Sequence, residues 1–126
     1  MNPREHDKIF AITSHLPHLI AYNLIKTAQD FQKKDKKNLI QFSAGGLRDF
    51  SRTAASNEIM WRDIFFNNEN IIGAISLFTR NLNSLKKIIQ NKNNKKLLLR
   101  LSNSRKVRAQ IVQLKQDVSK PDFGRE

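Results

Sequence analysis

The sequence predicts an all-α fold, a compact bundle of about five to seven helices with short connections. Three observations carry this. Apolar residues recur mostly at three- and four-residue intervals, the spacing of a single helix face. Only four glycines and three prolines punctuate the 126 residues. No β-branched alternating run extends beyond a few positions, so strands have no foothold.

The first helix is expected to start at Pro3. Asn2 is placed to cap it, Pro3 suits the first helical position, and Glu5 completes an Asn-x-x-Glu capping box. Ile9, Phe10, Ile12 and Thr13 continue it. Pro17 removes a backbone donor and restricts the residue before it, which predicts a kink or break near Ser14 to Leu16. Leu19, Ile20, Tyr22, Leu24, Ile25 and Ala28 carry a second helix to about Phe31, and the lysine-rich run Gln32 to Lys37 reads as a charged connector or the start of the next helix. Leu39, Ile40 and Phe42 begin a short helix that meets Gly45 and Gly46, where adjacent glycines break a helix and allow close backbone approach. Ser56 or Asn57 is a good N-cap for a helix through Ile59, Met60, Ile64 and Phe65 that ends around Asn67 and Asn68. Ile71, Ile72, Ile75, Phe78, Leu82, Leu85, Ile88 and Ile89 form a long amphipathic helix of about five turns. Its apolar circumference suits either the centre of a monomer or an interface with a partner chain, and a dimer interface is the expectation adopted. After residues 91–94, Leu97 to Leu101, Val107, Ile111 and Leu114 give a last helix, and residues 119–126 read as a tail beyond a domain of residues 1–118.

Composition removes several function classes. There is no cysteine, which rules out a disulfide framework, a thiolate nucleophile and any Cys-ligated metal centre. No stretch reaches the roughly 18 consecutive apolar residues of a membrane helix, and Arg4, Glu5, His6, Asp7 and Lys8 precede any apolar run, unlike a signal peptide. A cytoplasmic protein with no membrane partner is expected. The net charge of +12 invites a nucleic-acid reading, since basic surfaces displace counterions from phosphate backbones. That charge is regional: residues 1–79 carry ten basic and eight acidic side chains, and residues 80–126 carry thirteen and three. The basic region lacks interleaved aromatics and any helix-turn-helix or zinc signature, so a small basic nucleic-acid-binding protein is the alternative reading and not the leading one.

Two segments hold polar residues that a plain surface does not explain. In Thr13-Ser14-His15-Leu16-Pro17-His18, two imidazoles three residues apart flank a proline-distorted turn beside a serine, with His6 upstream. Imidazole suits acid-base work and carboxylate binding alike, and solvent-exposed chance clustering is the plain alternative. No HExxH-type spacing is present, so no metal is expected. In the second segment, Gly45-Gly46 precede Arg48, Asp49, Arg52 and Ser56. Arg48 and Arg52 share a helix face just after the glycine pair, where guanidinium forks and free backbone N–H groups favour a carboxylate or phosphate. Asp49, three residues before Arg52, is placed to hold that fork, and a surface salt bridge is the bland alternative. Trp61, the single tryptophan, is either core or a lid over a ring-shaped ligand. No GxGxxG or GxxxxGK motif occurs, so the chain has no nucleotide-phosphate loop of its own.

Taken together, Glu5-His6-Asp7, Ser14-His15-Leu16-Pro17-His18, Gly45-Gly46-Leu47-Arg48-Asp49-Phe50 with Arg52, Ala55-Ser56 and Met60-Trp61-Arg62-Asp63-Ile64 resemble the C-terminal helical domain of prephenate/arogenate dehydrogenases, in order and spacing, through about residue 66. Beyond that point the likeness is one of architecture. The resemblance implies a fragment of a two-domain enzyme of tyrosine biosynthesis. A preceding Rossmann-type domain would bind NAD or NADP and supply the general base, leaving no catalytic residue in this chain and no activity in the fragment alone. It further implies that Arg52 holds a carboxylate of a dianionic substrate, prephenate or arogenate. Asp49 would order that arginine, and Ser14, His15 and His18 would line the same pocket. Gly45, Arg48 and Ser56 would belong to the same substrate-binding constellation, and Trp61 would reach the neighbouring subunit's pocket in a homodimer formed by the helical domain.

Overall fold

The computed structural model describes residues 1–35 and 45–114, and every regular element among them is helical. In chain order these are α1 (Pro3–Phe10), a π-helical turn (Ala11–His15), α2 (Leu16–Asp35), α3 (Gly45–Thr53), α4 (Glu58–Asn67), α5 (Asn70–Gln90) and α6 (Asn94–Gln113). The helix expected at Leu39 to Phe42 and the tail expected at 119–126 lie outside the described residues. The chain divides into two compact units, Met1–Ser76 and Leu77–Glu126.

In the first unit, α1 starts where its cap is: the Asn2 side-chain oxygen accepts the Glu5 N–H at 2.9 Å, and Pro3 sits in the first turn, where its missing donor costs nothing. The kink or break expected near Ser14 to Leu16 takes the form of a π-helical turn over Ala11–His15, which interrupts the α-helical pattern without ending the helix. The backbone widens there, with the Leu16 N–H reaching back five residues to the Ala11 carbonyl, and the helix continues through Pro17. A proline inside a regular helix collides with the carbonyl four residues earlier; the wider turn directly ahead of it relieves that collision. The second helix also runs further than expected. Gln32 to Asp35 complete its last turn, where Lys33 and Lys34 face the negative end of the helix dipole, so these four residues are helix and not a connector.

α3 begins at Gly45 and ends in a tight turn, with Ala54 N–H to Ser51 C=O at 3.0 Å and Ala55 N–H to Arg52 C=O at 3.2 Å. A Cβ on Gly46 would meet nothing within 4 Å among the described residues. Asn57 caps α4, its side-chain oxygen accepting from Ile59 N–H at 2.9 Å and Met60 N–H at 3.0 Å. The core of this unit gathers Ala11, Leu16, Ile71 and Ala74, with Leu19, Ile20, Phe65 and Ile75 packed around it. The π turn and the start of α5 therefore share one apolar centre.

In the second unit, α5 passes into α6 through a left-handed residue, Lys92 at φ 49°. Asn93 N–H returns to the Ile88 carbonyl at 3.1 Å and Asn93 Oδ1 accepts the Lys96 N–H at 3.1 Å, closing one helix and capping the next. Arg100 fastens α6 to α5 through the Asn81 carbonyl at 2.7 Å and the Ser84 hydroxyl at 3.2 Å. No helix among the described residues is long and apolar enough to cross a membrane.

Candidate functional site

The π turn places Ser14 and His15 at the junction with α2, and His18 follows one turn later. All three side chains are half-buried. α4 brings Trp61 onto them. Its ring stacks on His18 with centroids 3.8 Å apart and planes 18° from parallel, and meets His15 edge-on at 6.0 Å. Phe65, one turn further along α4, backs the indole at 5.5 Å. Trp61 is 6% exposed, yet its Nε1–H finds no hydrogen-bond partner among the described residues.

Hydrogen bonds decide the state of each imidazole. His18 Nδ1 lies 2.9 Å from the Ser14 carbonyl, which can only accept, so His18 carries a proton on Nδ1. His15 Nδ1 lies 3.2 Å from the side-chain nitrogen of Asn68. Burial holds the His15 pKa below 6.5; the carboxylate of Asp7 opposes that shift, and His18 and His6 reinforce it.

α3 packs against α2 and carries the cationic part. Arg52 Nη2 donates to Asp49 Oδ1 at 2.7 Å, and the two side chains are about equally half-buried. Asp49 thereby holds one edge of the guanidinium in place. Tyr22 Oη on α2 donates to the Ser56 carbonyl at 3.1 Å, fixing the α3–α4 turn against α2 one turn before Trp61. Arg48 lies exposed on the same helix as Arg52, and Gly45 opens that helix. The structure thus gathers Ser14, His15, His18 and Trp61 into direct contact or succession, and sets Asp49, Arg52 and Ser56 on the neighbouring helix and its turn. Trp61 stacks on the imidazole of its own chain.

Two residues were not singled out from the sequence. Tyr22 read as one more apolar position of α2, and Asn68 as a helix end. Nothing local marks either, because their partners lie 34 residues away for Tyr22 and 61 and 53 residues away for Asn68. An apolar recess of about 330 Å³, lined by Tyr22, Glu58, Trp61, Arg62, Phe65 and Phe66, opens beside the indole. A wider polar cleft of about 600 Å³, bordered by Arg4, Asp7, Lys8 and the α4–α5 turn, contains none of the candidate residues. Among the described residues no group of three His, Asp or Glu side chains is placed to hold a metal ion.

An all-α module that stacks an indole on two imidazoles, with a carboxylate-steadied arginine on the helix packed against theirs, carries the groups that a small anion with a ring requires. The chain belongs to the family described as prephenate dehydrogenase, dimerization domain, whose profile matches residues 2–103 and so spans every candidate residue from Ser14 to Trp61. It is 36% identical over 109 residues to a cyclohexadienyl dehydrogenase of Zymomonas mobilis, covering 86% of this chain and 37% of that one. It is 40% identical over 73 residues to a prephenate dehydrogenase of Bacillus subtilis, covering 57% of this chain and 19% of the relative. Among solved structures, the prephenate dehydrogenase of Aquifex aeolicus in complex with hydroxyphenyl propionate and NAD+ superposes with a TM-score of 0.82 at 38% identity, over 88% of this chain and 39% of that chain. The chain therefore spans well under half the length of these relatives.

Proposed function

We propose that these 126 residues form the substrate-binding and dimerisation part of an NAD- or NADP-dependent prephenate or arogenate dehydrogenase, the oxidative decarboxylation step of tyrosine biosynthesis. The observation that carries this reading is the family match across residues 2–103, inside which the histidine, arginine and tryptophan positions fall together. The chemistry agrees. Hydroxyphenyl propionate in the Aquifex aeolicus enzyme joins a ring to a carboxylate, and here a guanidinium fork stands on the helix next to a stacked indole and two imidazoles. In this reading Arg52 binds a substrate carboxylate, Asp49 holds its fork, and Ser14, His15, His18 and Trp61 line the pocket with Gly45, Arg48 and Ser56 at its margin. The general base and the dinucleotide site belong to a second domain. NAD or NADP, when bound there, accepts the hydride; this chain's part is to bind and orient the substrate.

Dimerisation rests on apolar surface. Phe78, Leu82 and Ile89 are exposed along α5, with Ile75 and Leu85 half-buried between them, and their spacing of three, four, three and four residues follows one helix seam. A cytoplasmic homodimer joined through the helical domain follows from this reading.

The test is turnover. The full-length enzyme should reduce NAD or NADP when given prephenate or arogenate, while the 126-residue chain alone should dimerise and show none. A full-length protein that turns over neither substrate with either cofactor overturns the proposal.

A further inference from the structure

Asn68 is 7% exposed and is the buried polar residue of the described chain. Its amide orientation follows from two backbone groups whose roles cannot reverse. The Asn70 N–H can only donate, and it reaches Asn68 Oδ1 at 3.2 Å; the Asp7 carbonyl can only accept, and it receives Asn68 Nδ2 at 2.8 Å. Asn70 Nδ2 adds a second donor to Oδ1 at 2.9 Å. Turning the amide over would set donor against donor at the Asn70 N–H and acceptor against acceptor at the Asp7 carbonyl, at the full cost of unmade buried hydrogen bonds. The second hydrogen of Asn68 Nδ2 therefore points at His15 Nδ1, 3.2 Å away, and that nitrogen must offer a lone pair.

We propose that Asn68 is a positioning residue that fixes His15 as the neutral Nε2–H tautomer, so that His15 offers a ligand oxygen a hydrogen-bond donor without a charge. His18 is set the opposite way by the Ser14 carbonyl, with its proton on Nδ1 and a lone pair on Nε2 while neutral. Two imidazoles three residues apart are thus held in opposite tautomers by two different acceptor and donor groups. Together they match a ligand that presents an oxygen acceptor to one ring and a hydroxyl or other donor to the other. The burial that lowers the His15 pKa works in the same direction, since an imidazolium would set N–H against N–H at Asn68. Asp7 pulls the other way and His6 and His18 do not; Trp61 and Asn68, which face His15 from α4 and the turn after it, carry no charge.

The role assigned to the donor rests on the functional reading above, but the tautomer does not, and the experiment separates them. Long-range proton–nitrogen correlation spectra of the full-length protein with ¹⁵N-labelled histidine, at pH 7.5 and without ligand, give each ring's tautomer; loss of a signal in His15→Gln assigns it. His15 should have an unprotonated Nδ1 and a protonated Nε2. Asn68→Asp should reverse this, because a carboxylate in that place accepts a hydrogen bond from Nδ1–H and so favours the proton on Nδ1. A wild-type His15 protonated on Nδ1, or a folded Asn68→Asp protein with the wild-type tautomer, overturns the proposal; the wild-type spectrum decides even if the variant does not fold. In prephenate binding, His15→Leu should weaken affinity about fivefold and His15→Gln, which keeps a donor, should lose less. The expected tautomer with no binding change in His15→Leu would leave Asn68's role standing and count against the ligand site.

Discussion

The two units of this chain use their side chains in contrasting ways. In Met1–Ser76 basic and acidic groups nearly balance, and polar side chains reach across the sequence: Tyr22 to Ser56, Asn68 to Asp7 and to His15. Every buried residue of the described chain belongs to this unit. In the unit beginning at Leu77, thirteen basic side chains face three acidic ones, no described residue is buried, and the helices are joined by Arg100 and by caps. Leu82, Ile89, Leu98, Leu99, Leu101 and Val107 are each more than half exposed. Exposed apolar side chains occur in the first unit as well, Phe66 and Ile72 among them, so the contrast lies in the polar groups that are fixed and buried there and in the second unit's lack of any buried residue among those described. The basic excess reads as the solvated part of the second unit's surface.

Predictions that test this contrast run from large effects to small. Trp61→Ala removes the indole that joins α4 to both imidazoles, and should cost about 3–5 kcal/mol of stability by chemical denaturation. Phe78→Glu with Leu82→Glu should convert the full-length dimer to monomer in sedimentation while leaving the helical content of the first unit intact; a stable dimer would place the interface elsewhere. Asn57→Ala removes the cap of α4 and should cost about 1 kcal/mol. Lys92→Gly relieves a left-handed residue at the α5–α6 turn and should stabilise by about 1 kcal/mol.

The pH response separates the units again. His15 has a folded pKa below its ordinary 6.5, so between those two values the unfolded chain binds the extra proton. Its contribution to stability is complete above pH 6.5 and is lost as pH falls through the folded pKa. His15→Gln should flatten that part of the stability profile.

Much of the helical layout was legible because it is local. The Asn2 and Asn57 caps, the α5 periodicity and the Asp49–Arg52 spacing each involve residues within one or two turns. Pro17 marked the place of an irregularity but not its form, because proline's rule assumes a regular helix ahead of it and the π turn supplies a wider one. Gln32 to Asp35 misled because charge marks exposure, and an exposed last turn of a helix is as charged as a connector. Asn68 was illegible for a different reason: its partners are 53 and 61 residues away, and only the packing of the α4–α5 turn on α1 and the π turn brings them within hydrogen-bond reach.

The central claim is that the balanced first unit holds an anionic substrate on Arg52, and the most direct measurement is prephenate binding to the full-length enzyme with Arg52 as wild type, Lys and Ala. The account predicts a loss of roughly 10- to 100-fold for Arg52→Ala, with Arg52→Lys recovering only part because an ammonium cannot form the two parallel bonds of the fork. Equal affinity across the three proteins would contradict it.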